Sequence, residues 1–182
     1  MNREEAFTGL EAAIVLIAFV VVAAVFSYVV LGAGFFTTQK SQEVVASGVS
    51  QASSSMQILG DVYGLGNGTE LGAVQFTLGL TAGGSAIDME KTTLVWSTSE
   101  TVETLAFNTS ASAGNWAIIE KNNGDDDNLL EDYEQFVIKA MPSNGIGVNT
   151  NFKLEIRPSI GATIAIDEKV PPQVDPVMDL TR

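Results

Sequence analysis

Residues 12–36 read AAIVLIAFVVVAAVFSYVVLGAGFF. Ser27 and Tyr28 carry the only side-chain hydroxyls in the run, and no side chain from residue 12 to residue 39 is charged. As a helix rising 1.5 Å per residue, residues 12–36 span about 37 Å, more than the roughly 30 Å hydrocarbon core of a bilayer. The stretch is apolar all round, so it must be enclosed on every side, by lipid or by other copies of itself.

Outward from this run the character changes. From residue 57 to the end there are 18 acidic and 7 basic residues, a net charge of −11 within a chain total of −13. The 182-residue chain has an uncharged apolar front and an acidic rear, although 46% of it is hydrophobic. It contains no His and no Cys. That excludes a His general base, a Ser-His-Asp or Cys-His nucleophile, thiolate or imidazole metal sites and disulfides. Only carboxylate-pair or Ser-Lys enzyme chemistry survives. The acidity argues against nucleic acid and anionic headgroups as partners.

Three readings compete for the front. A secretory signal peptide needs a positive head and an apolar stretch of only about 7–15 residues before its cleavage site. Here the stretch is longer, and Arg3 is outnumbered by Glu4 and Glu5. A permanent transmembrane anchor fits the length but lacks flanking Lys and Arg to orient it. A class III, prepilin-like leader is cut before the apolar segment, so the helix stays on the mature protein. The leader is then Met1–Ala6, with cleavage between Ala6 and Phe7, and Glu11 becomes the fifth mature residue.

The string FTGLEAAIVLIAFVVVAAVFSYVVLGAGFFTTQKSQEV, with its short charged leader, Gly9, Glu11 and a break expected at Gly32-Ala33-Gly34, resembles the N-terminal helix of archaellins, the archaeal flagellins. The resemblance covers about the first 60 residues. Many archaellin leaders end in a basic residue followed by Gly, whereas this one ends Glu4-Glu5-Ala6. The resemblance implies a subunit of an extracellular motility filament, homopolymeric or mixed with paralogues. Its precursor would lie in the cytoplasmic membrane and be processed by a leader peptidase. Resemblance to type IV pilins, which place a glutamate at this fifth position, implies that Glu11 pairs with the new α-amino group of a neighbour or of its own chain. The other reading of Glu11 is an interaction with the helix dipole alone. An adhesion pilin or minor filament component would share this leader. A membrane-anchored β-sandwich binding module is the alternative from another class.

Val44, Val45, Val49 and Ala52 continue a loose helical spacing, with stop signals at Ser53-Ser54-Ser55 and Gly60. The sequence therefore predicts a leader over 1–6, an assembly helix over 7–56 and an outer domain over 57–182. In the rear the apolar period becomes two. Residues 74–80, 136–140, 152–157 and 160–166 alternate, and 85–90, 92–97, 101–107 and 116–120 are further strand candidates. Turn signals stand at Gly66-Asn67-Gly68, Gly83-Gly84, Asn122-Asn123-Gly124 and Pro142-Ser143-Asn144-Gly145. The fold class is α+β: a long helix, then an antiparallel β-sandwich, Ig-like or barrel-like. Archaellin outer domains are β-sandwiches of this sort. Phe107, Trp116, Phe136 and Phe152 are the expected core, and the tail from Pro171 is extended.

Asn67-Gly68-Thr69 and Asn108-Thr109-Ser110 are N-glycosylation sequons. The resemblance raises their interest, because archaellins are often N-glycosylated. Asn123, Asp125, Asp127 and Glu134 echo the oxygen ligands of a calcium loop. The match departs from an EF-hand at Asn123 (first position) and Asn128 (sixth), and strands flank it. The alternative is a solvated acidic turn without cofactor. Gly64-x-Gly66-x-Gly68 lacks the βαβ context of a dinucleotide site.

Overall fold

The structure is a computed structural model that describes the backbone of residues 3–53 and 55–181, with side chains from Thr8 to Ala52 and from Ser55 to Thr181. Helix α1 runs without interruption over Arg3–Ser53, 51 residues. Contacts divide the chain into two compact units that meet between Ser47 and Gly48.

The break expected at Gly32-Ala33-Gly34 is absent, because α1 passes straight through it. A helical glycine costs only about 1 kcal/mol relative to alanine, too little to stop a long ladder of i→i−4 bonds. Two threonines one turn on bond back to this segment. Thr37 Oγ1 donates to Ala33 O at 2.8 Å and Thr38 Oγ1 to Gly34 O at 2.9 Å.

The second unit is built of strands β1 (Met56–Gly66), β2 (Glu70–Leu80), β3 (Ile87–Asp88), β4 (Thr93–Thr98), β5 (Val102–Phe107), β6 (Asn115–Asn122), β7 (Leu129–Leu130), β8 (Gln135–Met141), β9 (Ile146–Gly147), β10 (Asn151–Arg157), β11 (Ile164–Lys169) and β12 (Val177–Asp179). Ten of them form one sheet in the order β11-β10-β4-β5-β6-β8-β2-β1-β12, with β9 also on β2, while β3 and β7 pair separately. Every pairing is antiparallel except β5–β6, which is parallel over Ala106↔Asn115 and Phe107↔Trp116. The end of β5 meets the start of β6, so the short 108–114 connection suffices without a full crossover.

Both halves of the sheet feed one core. Leu94, Trp96, Phe152, Leu154 and Ile166 from one half cluster with Leu71, Phe76, Trp116, Phe136 and Ile138 from the other. Trp96 and Phe152 stack with centroids 4.8 Å apart and planes 1° from parallel. Of the expected core aromatics, Trp116, Phe136 and Phe152 are fully buried, and Phe107 is partly buried against them.

Several boundaries differ from the sequence reading. Gly60 does not stop the helix; it lies inside β1 at φ 76, where the β1–β2 register shifts between Leu59 and Tyr63. A bulge needs an extra residue in an unusual conformation, which glycine supplies at no steric cost. The 160–166 strand begins only at Ile164, after a turn with Gly161 at φ 104. The 85–90 strand shrinks to β3 followed by a single 3-10 turn, Met89–Lys91. The tail is extended but also pairs: β12 lies antiparallel to β1, and Leu180 N donates to Val62 O at 2.9 Å.

Candidate assembly surface and modification sites

Every residue of α1 from Thr8 to Val49 is exposed. Leu16 is 66%, Phe19 77% and Phe26 69% accessible. Burying each such side chain stabilises by about 1.5–3 kcal/mol. Summed along the run, this surface cannot remain in water. By length and composition, the part of α1 over Thr8–Ala52 can cross a membrane. Glu11 is the only charged side chain between Thr8 and Gln39. It shares a face with Thr8, Ala12, Val15 and Phe19. Ala6 and Phe7 lie in the helical backbone, and their side chains are outside the described residues.

The two sequons differ in geometry. Asn67 sits at the β1–β2 hairpin tip beside Gly68 at φ 95. Its Oδ1 accepts from Thr69 N at 3.1 Å, Thr69 Oγ1 at 3.0 Å and Glu70 N at 3.0 Å. The amide is thus joined to the hydroxyl of its own sequon. Asn108 Oδ1 instead accepts from Thr109 N at 2.7 Å and Thr109 Oγ1 at 3.4 Å, the residue between Asn108 and Ser110.

In the acidic loop the carboxylate oxygens face backbone amides. Asp125 Oδ1 accepts from Asp127 N at 3.0 Å, and Asp127 Oδ1 from Leu129 N at 2.8 Å. Glu134, only 7% exposed, accepts from Asp125 N on Oε1 at 3.2 Å and from Glu131 N on Oε2 at 2.9 Å. The carboxylates are therefore engaged with backbone amides, and Asn123 adopts a left-handed φ of 57. Among the described residues, no three carboxylates converge to hold a metal ion. Spacing alone does not announce Glu134 as a backbone acceptor; only its burial reveals the role.

Elsewhere the charges form local pairs. Asp88 Oδ2 meets Lys91 Nζ at 2.7 Å, and this bond holds the Asp88 carboxyl below its ordinary range. Lys153, at 2.7 Å from Glu155, together with Arg157 lowers the Glu155 carboxyl in the same way. Glu168 goes the other way. Partial burial, then the nearby Asp167 and Asp179 carboxylates, push it up.

Comparison with known proteins gives the family of the chain. The archaeal-type flagellin family model matches residues 6–168. "Probable flagellin 1" of Archaeoglobus fulgidus is 45% identical over 200 aligned positions, covering 100% of this chain and 98% of the relative. The chain belongs to the archaeal-type flagellins. The archaeal flagellum structure of Methanospirillum hungatei strain JF1 superposes on this flagellin with a TM-score of 0.75 at 34% identity, over 94% of this chain and 98% of that one. The crystal structure of flagellin FlaB1 from Methanocaldococcus jannaschii, 12% identical, shares the fold at a TM-score of 0.56, over 69% of this chain and 95% of that one. This archaeal-type flagellin is a structural subunit of the motility filament, and the surface of its α1 over Thr8–Val49 is exposed.

Proposed function

We propose that the chain is made as a membrane precursor, loses residues 1–6 by cleavage between Ala6 and Phe7, and polymerises by moving α1 from lipid into a bundle of neighbouring helices. The observation that carries this reading is the exposure of the whole apolar surface of a single helix over Thr8–Val49. Lipid and bundle are both apolar, so the transfer need not pass the helix through water. Selectivity must then come from close packing at small residues and from polar pairing. Cleavage before Phe7 frees an α-amino group. Glu11, alone among apolar neighbours, is costly without a partner and supplies the matching carboxylate. The acidic β-domain stays outside, where its charge keeps it solvated. Among the sequons, Asn67 is the favoured glycan acceptor, because its carboxamide is exposed and hydrogen-bonded to the Thr69 hydroxyl.

Mass spectrometry of purified filaments tests the proposal. The expected mature N-terminus is Phe7, with a glycan mass on the peptide holding Asn67. An intact Met1, or cleavage after Phe36, overturns the precursor reading. A glycan on Asn108 with none on Asn67 overturns the acceptor assignment.

A further inference from the structure

The parallel pairing of β5 with β6 reaches only Ala106 and Phe107, while β4 pairs with β5 over Val102–Leu105 on the other side. Among the described residues, no strand fills the place that β6 leaves beside Val102–Leu105. A cleft of about 520 Å³ opens there, between the 99–101 turn and residues 142–147. Sites for small ligands measure roughly 300–1,000 Å³. Ser143 N donates to Glu103 Oε1 at 2.7 Å, which ties the two walls together.

The lining selects a class of ligand. Glu100, Thr101, Glu103 and Asn144 supply carboxylates, a hydroxyl and a carboxamide, and Val102 adds an apolar side chain that is 73% exposed. Ionised carboxylates only accept hydrogen bonds, so the ligand must bring donors, and a second anion is repelled. Among the described residues, no Lys or Arg lines the cleft. An uncharged sugar meets these terms: its hydroxyls donate to the carboxylates, and the C–H face of its ring covers Val102.

A place to attach such a sugar stands next to the cleft. Asn67 N donates to Glu70 O at 3.2 Å across the hairpin, and Glu70 lies opposite Gly147 in the β2–β9 register. Two strand spacings of about 4.8 Å put Asn67 about 10 Å from Gly147, which lines the cleft. Glu70 joins the two places. Its N donates to Asn67 Oδ1 at 3.0 Å, and its Oε2 lies 2.5 Å from where a Cβ on Gly145, another lining residue, would stand. The three bonds to Asn67 Oδ1 also fix the carboxamide, so the nitrogen that carries a glycan starts from a set position.

From this arrangement we infer that the cleft is a saccharide site, occupied by uncharged sugar units carried on Asn67 of the same chain. The inference rests on the reading of Asn67 as a glycan acceptor. The tether makes a shallow site sufficient, because attachment supplies an effective concentration of about millimolar order.

The test follows hydrogen exchange, by mass spectrometry, in full-length chain purified in detergent from the producing cells. Wild type is compared with Thr69→Ala, which removes the sequon. A Glu100→Ala/Asn144→Ala double variant keeps the sequon and strips two exposed side chains from the cleft. Wild-type peptides over 99–103 and 142–147 should exchange about 5–10-fold slower than those of Thr69→Ala, with 118–122 unchanged. The double variant, still glycosylated, should exchange there as fast as Thr69→Ala. Val102→Lys, a second cleft variant at an exposed position, should release the same amides. Glycosylated cleft variants that stay slow overturn the inference, because the glycan then only shades the surface. A wild-type Asn67 without glycan overturns the acceptor reading and the inference with it. A glycan on Asn67 that leaves the cleft amides as fast as in Thr69→Ala overturns the saccharide site alone.

Discussion

Val20 in α1 is 60% exposed, and Val74 in β2 is 0% exposed. The side chains are identical, and so is their cost in water. In the β-domain the alternation of apolar and polar residues lets each strand turn one face toward Trp96, Trp116 and Phe136, and the chain completes its own core. In α1 there is no polar face to turn outward, so the chain alone has no way to satisfy it. One part of the molecule finishes folding by itself. The other finishes only in the company of lipid or other subunits. Hydrophobic content by itself does not measure a core; the periodicity of that content decides whose core it is.

The contrast can be broken most severely at the helix. Val21→Asp places a carboxylate mid-run, at about 2.5–3.5 kcal/mol in an apolar surround. Filament number, counted by electron microscopy, should fall about 100-fold, while the β-domain melts as before in detergent. Normal filament numbers would show that α1 is not enclosed on all sides. Next in size, Trp96→Ala removes half of the stacked pair with Phe152 and should destabilise the β-domain by about 3–5 kcal/mol. Its melting midpoint should drop by about 10–20 °C, with the helical signal in detergent retained. Loss of both signals together would mean that the two units fold as one.

Smaller effects probe the loops. Glu134→Gln replaces one of two carboxylate acceptors with a donor that faces a backbone N–H, and should cost about 1–2 kcal/mol. Hydrogen exchange should quicken at the Asp125 and Glu131 amides, and unchanged exchange there would remove Glu134 from its clamping role. The smallest effect concerns Glu168. Its carboxyl is raised in the folded state, so the wild type loses stability as pH rises from the ordinary glutamate pKa through the folded value. Glu168→Gln should therefore be the more stable form at pH 7, by no more than about 0.5 kcal/mol. That advantage should vanish on acidification below the ordinary glutamate range, where both side chains are neutral. A variant less stable at pH 7 would reverse the sign and place a favourable partner at Glu168.

Much of this architecture is legible in the residues. The change of apolar period near Ile58 marks the passage from helix to strands, and the alternation in 152–157 becomes β10. Pairing partners are another matter. Nothing local in Phe107 and Trp116 reveals that they meet in a parallel seam, because period two specifies a face and not a neighbour. Gly32 and Gly34 look like a joint, yet α1 passes through them unbroken. The acidic loop shows the same limit from the side of chemistry. Oxygen spacing suggests ligands, but whether a carboxylate faces an ion or a backbone amide depends on the fold around it. Asn67 and Asn108 carry the same kind of motif, and only their hydrogen bonds separate them.

The unbroken helix has a mechanical meaning. A swimming filament is twisted and bent against viscous drag, and strain collects at the most compliant segment of each subunit. A hinge at Gly32-Ala33-Gly34 would be that segment, repeated in every copy along the fibre. With the backbone ladder continuous there, each subunit supplies a rod in place of a joint.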